Sequence, residues 1–125
     1  MGKENTQRIL LIDDDALILR SYEKLLQREG YSVRSASNYQ EAMKALAEQA
    51  FDLIISDIRM PGKNGVETVA EIQKKLHAIQ GRDLPIIFIT GYAEFGEQLD
   101  AKFLGEVLYK PIENMRLLSA IRDYL

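Results

Sequence analysis

Short apolar runs that end in polar groups alternate along this chain with stretches whose apolar residues recur every three or four positions. Arg8-Ile9-Leu10-Leu11-Ile12 stops at Asp13-Asp14-Asp15. Leu53-Ile54-Ile55 leads to Asp57, and Met60-Pro61-Gly62 behind it cannot continue a strand, because Pro lacks an N–H and Gly favours turns. Pro85 to Thr90 ends in a hydroxyl before Gly91, and Val107-Leu108-Tyr109-Lys110 is cut off by Pro111. Runs of this kind read as strands buried in a parallel sheet. Tyr31 to Ala36 alternates apolar and polar, as an outer strand does.

Between the runs the spacing is helical. Leu19, Tyr22, Leu25 and Leu26 predict a helix over Asp15 to Glu29, stopped by Gly30 as a C-cap residue would stop it. Ser37 or Asn38 caps a second helix carrying Ala42, Leu46 and Ala47. After the loop Pro61 to Gly65, a third shows Val66, Val69, Ile72, Leu76 and Ile79 on one face. Ala93 to Phe103 is a less periodic helix candidate, and Asn114 to Leu125 closes the chain with Leu117, Leu118, Ile121 and Leu125 facing inward. Alternation of this kind predicts a doubly wound α/β domain, five parallel strands with helices on both faces and right-handed crossovers. Residues 1–7 are expected to be a flexible N-terminal segment and residues 8–125 one domain.

Composition narrows the function. At 125 residues, 46% hydrophobic and 28% charged, the chain can bury a core without staples. It has no cysteine, which removes disulfides, thiolate metal sites and cysteine nucleophiles. No apolar run is long enough to span a membrane, and Met1 to Gln7 is too polar for a signal peptide, so a cytoplasmic protein with no membrane partner is expected. A net charge of −3 lacks the footprint of a nucleic-acid binder, so no direct nucleic-acid contact is expected.

Ligands of open α/β sheets bind outside the carboxyl ends of the strands. Asp13 and Asp14, Asp57, Thr90 and Lys110 would converge there. Carboxylates so crowded repel by on the order of 4 kcal/mol per pair at about 4 Å and an effective dielectric of 20, and so call for a cation. Hard oxygen ligands with room for water and phosphate oxygens suit Mg²⁺ better than zinc. Lys110 adds a positive charge and Thr90 a donor, both apt for the anionic oxygens of phosphoryl transfer. The set describes an Asp nucleophile with a metal and a charge clamp.

Ile12-Asp13-Asp14, Ser56-Asp57-Ile58-Arg59-Met60-Pro61-Gly62 followed by Gly65, Ile89-Thr90-Gly91 and Tyr109-Lys110-Pro111 together resemble the motifs of the receiver domain of two-component response regulators, over about residues 8–125. The resemblance implies the flavodoxin-like sheet with strand order 2-1-3-4-5. It also implies that Asp57 accepts a phosphoryl group from a phosphohistidine on a sensor histidine kinase or phosphotransfer protein. Asp14 would bind Mg²⁺ directly, Asp13 largely through water, and the Arg59 carbonyl would complete the metal set with Asp57. Lys110 would contact the phosphoryl oxygens, Thr90 would swing toward them, and Lys110-Pro111 would be cis. The implied product is a conformational switch acting on an output domain or effector outside this chain, with weak dimerisation on phosphorylation, rather than an enzyme with substrate turnover. Arg59 and Tyr92 stand where bulk slows loss of the phosphoryl group.

Plainer readings compete at several positions. Asp15 is expected to be a helix-start acid, not a ligand. Taken alone, Asp13 and Asp14 would pass for capping acids. Gly91 to Gly96 mimics the start of a phosphate loop, but Glu97 and Gln98 stand where Lys and Ser or Thr are required. His77, Lys63, Lys74 and Lys75 read as solvated surface, and Tyr92, Phe95, Phe103 and Tyr109 as core or as an interaction surface. Two alternative functions remain: a phosphatase forming an aspartyl phosphate at Asp13 of Asp13-x-Asp15, and a receiver-shaped interaction module that is never phosphorylated. The sequence also departs from the family. Val107 occupies the usual aromatic position three before Lys110, Leu104-Gly105-Glu106 replaces the usual turn, and Tyr109, adjacent to Lys110, is expected on the opposite face and unable simply to substitute. The response to phosphorylation is therefore expected to stay near the Asp57 loop.

Overall fold

The computed structural model describes residues 7–58, 64–81, 83–91, 100–102 and 104–125, with the side chains of Ile79 and Gln80 outside that description. Five parallel strands, β1 (Arg8–Ile12), β2 (Ser32–Ala36), β3 (Leu53–Asp57), β4 (Ile86–Thr90) and β5 (Glu106–Tyr109), lie in the order 2-1-3-4-5. The helices are α1 (Ala16–Arg28), α2 (Tyr39–Glu48), α3 (Gly65–Gln80) and α4 (Asn114–Tyr124). Each element falls within a residue or two of its predicted range. Of the weaker helix expected over 93–103, residues 100–102 are helical, while 92–99 and Phe103 lie outside the described residues.

Alternation along the strands divides the core in two. Leu10, Ile12, Ile54, Ile86 and Phe88 point to one face and pack with Ala42, Ala45, Val69, Ile72 and Ala101. Ile9, Leu11, Leu53, Ile55, Ile87, Ile89 and Leu108 point to the other and pack with Leu19, Leu25 and Leu26 of α1 and Leu117, Leu118 and Ile121 of α4. The central strands β3 and β4 are buried at every residue, which is why their sequences carry no alternation. On α2 the buried residues are Ala42 and Ala45, with Leu46 half-buried, and Ala47 is exposed contrary to expectation. Ala47 is five residues from Ala42, about 140° around the helix, so it cannot share that stripe.

Local signals set the helix starts. Asn38 accepts from the Glu41 N–H at 2.8 Å, and Ser37 donates both its N–H and its hydroxyl to the Glu41 carboxylate at 2.7 and 2.8 Å. Asn64 and Glu67 form a reciprocal capping box at the start of α3. The turn before β5 depends on Gly105, because a Cβ there would sit 2.3 Å from the Ile86 carbonyl oxygen. Val107 is partly buried against the Phe88 face.

Candidate functional site

Parallel strands bring their carboxyl ends to one edge. Asp57 is the last residue of β3 and Thr90 the last of β4, while Asp13 and Lys110 directly follow β1 and β5. Both followers are held by backbone bonds that extend the ladders, from the Asp13 N–H to the Ala36 oxygen at 3.1 Å and from the Lys110 N–H to the Thr90 oxygen at 2.8 Å. The two-residue period puts Asp13 with Leu11, Asp57 with Ile55 and Lys110 with Leu108, all on the face covered by α1 and α4. Thr90, fully buried, falls instead on the Phe88 face, in register with Tyr109.

The Lys110 ammonium hydrogen-bonds Asp57 Oδ2 at 3.3 Å and stands 3.7 Å from Asp13 Oδ2. Burial alone would lower the Lys110 pKa, but Asp57 and Asp13 outweigh it and hold the group above its usual value. Asp13, buried, accepts the Asp15 N–H at 2.9 Å. Its burial is the larger effect, and with the neighbouring Asp57 charge it carries the Asp13 pKa to about 6. Asp14 is exposed beside them.

Among the described residues, Asp13, Asp14 and Asp57 each present a carboxylate oxygen, and these oxygens lie within 4.8 Å of one another. Oxygens on one octahedral Mg²⁺ stand at most about 4.2 Å apart, so small side-chain rotations would gather this set around one ion. A single ammonium offsets only part of three negative charges. The donor set therefore fits a hard divalent cation.

Two residues outside the predicted site shape its backbone. Gly65, the first residue of α3, donates its N–H to the Ile58 oxygen at 2.8 Å. A Cβ on Gly65 would lie 1.7 Å from the Asp57 carbonyl oxygen, so only glycine lets α3 approach β3 here. Buried Ser56 donates its hydroxyl to the same carbonyl at 2.9 Å. The Asn64-Gly65 pair before an apolar stripe is the sequence signal for the helix start, but the contact with Asp57 depends on how the loop returns.

A family profile described as the response regulator receiver domain matches residues 9–122. The chain belongs to this receiver domain family. The receiver is 34% identical over 121 residues to the alginate biosynthesis transcriptional regulatory protein AlgB of Pseudomonas aeruginosa, covering 94% of this chain and 26% of that protein. It is 30% identical over 127 residues to the transcriptional regulatory protein ResD of Bacillus subtilis, covering 100% of this chain and 50% of that one. It thus spans between a quarter and a half of these relatives. Among solved structures, the response regulator TrrA of Thermotoga maritima in complex with Mg²⁺ and beryllofluoride superposes with a TM-score of 0.82 at 32% identity, covering 96% of this chain and 100% of that one. The chemotaxis protein CheY4 of Vibrio cholerae gives 0.82 at 27% identity, covering 96% and 99%.

The remaining candidates of the receiver fall as follows. Asp15 is the N-cap of α1, its carboxylate accepting the Leu17 and Ile18 N–H groups at 2.9 and 3.3 Å, as a helix-start acid does. Lys110-Pro111 is cis. His77 is exposed, 3.7 Å from Asp83, and Lys74 and Lys75 are exposed. Arg59, with its expected metal-binding carbonyl, lies outside the described residues, as do Met60 to Lys63, Tyr92, Phe95 to Gln98 and the segment before Gln7. Among the described residues no helix is long and apolar enough to cross a membrane.

Proposed function

We propose that the receiver takes a phosphoryl group onto Asp57 from a phosphohistidine of a sensor kinase or phosphotransfer protein and passes the change to an output domain or effector. The observation that carries this is the Lys110 ammonium 3.3 Å from Asp57 Oδ2, beside a trio of carboxylates whose oxygens gather within 4.8 Å. In the step, an Asp57 carboxylate oxygen attacks phosphorus as the phosphorus–nitrogen bond of the donor breaks, and the departing imidazole keeps the bond's electron pair and gains a proton. Lys110 follows the charge onto the phosphoryl oxygens, and buried Asp13 keeps the ammonium beside the reacting atoms. Bound by Asp13, Asp14 and Asp57, Mg²⁺ would offset the charge of the carboxylates and of the arriving phosphoryl group. That TrrA was solved in complex with Mg²⁺ and beryllofluoride supports a metal-dependent reading of this receiver. The curated relatives are transcriptional regulators, which supports an output in transcription supplied by another segment or partner. Each molecule is modified and reset without substrate turnover, and a cytoplasmic setting suits the donor.

Incubation with acetyl phosphate and Mg²⁺, followed by peptide mass spectrometry, tests the reading. A label on Asp57, lost in Asp57→Asn and without Mg²⁺, is expected. A label on Asp13 would establish the phosphatase chemistry instead, although Asp15 is engaged in capping α1. No label under any condition would leave a receiver-shaped interaction module.

A further inference from the structure

Ser56 directly precedes the acceptor and is fully buried. In the sheet it is paired with Ile12 on one side and Phe88 on the other, and Ile54 and Ile58 flank it along the same face, all four in one apolar cluster. A hydroxyl buried among such residues is costly unless it is bonded. Here it donates to the carbonyl oxygen of Asp57 at 2.9 Å. Both partners lie against Gly65, where an added Cβ would stand 1.7 Å from that oxygen and 2.9 Å from Ser56 Oγ, so the start of α3 confines the pair. The next carbonyl is held as well, because the Ile58 oxygen accepts the Gly65 N–H at 2.8 Å.

A planar peptide leaves each residue two soft backbone dihedrals. Asp57 is fixed on its amino side by β3, in register with Ile89 of β4, but it is the last residue of that strand. On its carboxyl side the Ser56 hydroxyl takes over, fixing the plane of the peptide that joins Asp57 to Ile58 and with it the ψ angle of Asp57. The carboxylate then retains only its side-chain rotations, and Lys110 meets one of its oxygens at 3.3 Å. In-line attack tolerates little error, since a misplacement of about 1 Å can cost on the order of 100-fold in rate. We propose that Ser56 is a positioning residue of the acceptor site, its buried hydroxyl holding the Asp57 peptide so that the carboxylate meets phosphorus in line. The inference rests on the reading of Asp57 as acceptor, but its first test does not require phosphorylation.

In protein carrying ¹³C at the aspartate backbone carbonyls, Ser56→Ala should move the Asp57 carbonyl resonance upfield, as loss of a hydrogen bond does, and leave that of Asp52 in place. An unmoved Asp57 resonance would overturn the proposal whether or not Asp57 is ever phosphorylated. With acetyl phosphate and Mg²⁺, at a temperature where every variant is folded, Ser56→Ala should lower the maximal labelling rate of Asp57 threefold to tenfold, with little change in the concentration giving half that rate. Ser56→Thr and Ser56→Val introduce the same shape and so the same crowding against Gly65, but only the first keeps a donor. Ser56→Thr should therefore label threefold to tenfold faster than Ser56→Val. A Ser56→Ala protein as fast as wild type, or a Ser56→Thr protein no faster than Ser56→Val, would reduce Ser56 to packing and overturn the positioning role. A wild type that takes no label would count against the acceptor reading itself, and the carbonyl resonance would still decide whether Ser56 holds the Asp57 peptide.

Discussion

Thr90 and Tyr109 are partners in the last rung of the β4–β5 ladder. Tyr109 is on the opposite face from Lys110, as expected, but that face is the one shared by Phe88, Val107 and Thr90. The aromatic residue in register with Thr90 is thus Tyr109, two residues beyond Val107 and 47% exposed. Tyr109 stays off the Lys110 face, so it does not simply take the place of the aromatic residue that Val107 replaces, yet its register partner is the hydroxyl-bearing Thr90. Beryllofluoride with Mg²⁺ is then expected to move the ring signals of Tyr109 in NMR spectra, and Thr90→Ala to remove that response while shifts around Asp57 persist. Unmoved Tyr109 signals would return the response to the vicinity of the Asp57 loop.

Asp13 makes stability depend on pH in a direction opposite to most carboxylates. Its pKa rises from 3.8 to about 6 on folding, chiefly through burial. Between those values the folded state binds more protons than the unfolded one, so without metal this contribution is full below about pH 4 and is lost as pH rises through about 6. Two pKa units correspond to roughly 2–3 kcal/mol. Asp13→Asn keeps the shape and removes the charge. In urea melts without divalent ions, its stability relative to wild type should climb across that window, reaching about 2 kcal/mol at pH 7. Saturating Mg²⁺ should narrow the gap, because an ion that binds only the folded wild type stabilises it. A difference flat in pH would mean that Asp13 titrates normally.

The parts of the fold that sequence alone discloses are those dictated by one physical constraint at a time. A strand covered on both faces must be apolar throughout, which exposes β3 and β4, and a capping side chain must precede its helix, which exposes Asp15 and Asn38. Asp13, Asp57 and Lys110 are legible as neighbours because parallel strands bring their ends together. Relations that need two constraints at once are hidden. Thr90 and Tyr109 pair only once the register is known. Ala45 replaces Ala47 because the helix phase is fixed by the sheet beneath it. Gly65 meets the Asp57 carbonyl only because α3 returns against β3.

Thr68 carries a buried hydroxyl that has no hydrogen-bond partner among the described residues. It lies on α3 beside Val69 and Ile72, which face the core. A buried unsatisfied hydroxyl costs about 1–3 kcal/mol, and valine has the same shape and a similar helix propensity. Thr68→Val should therefore raise the midpoint of thermal unfolding by several degrees, equivalent to about 1 kcal/mol, without altering Mg²⁺ affinity. A lowered midpoint would show that the hydroxyl finds a partner in solution.

Gly65 and Gly91 flank the acceptor edge, and the space around them differs sharply. Among the described residues a methyl group on Gly91 would meet only the Lys110 stem, at 3.8 and 3.9 Å, which is ordinary contact. On Gly65 it would fall 1.7 Å from the Asp57 oxygen and 2.9 Å from the Ser56 hydroxyl oxygen, so α3 or the end of β3 must move. Overpacking against backbone costs roughly 1–3 kcal/mol or more. Gly65→Ala should lower the unfolding midpoint by at least several degrees, and because the displaced atom belongs to Asp57, it should also slow labelling by acetyl phosphate at least tenfold. Gly91→Ala should keep a midpoint within about 2 °C of wild type, since surface changes rarely exceed about 0.5 kcal/mol. Paired melts and labelling rates decide the matter: equal behaviour of the two variants would mean that α3 shifts freely against β3, and that the acceptor carbonyl is not fixed by the close approach of Gly65.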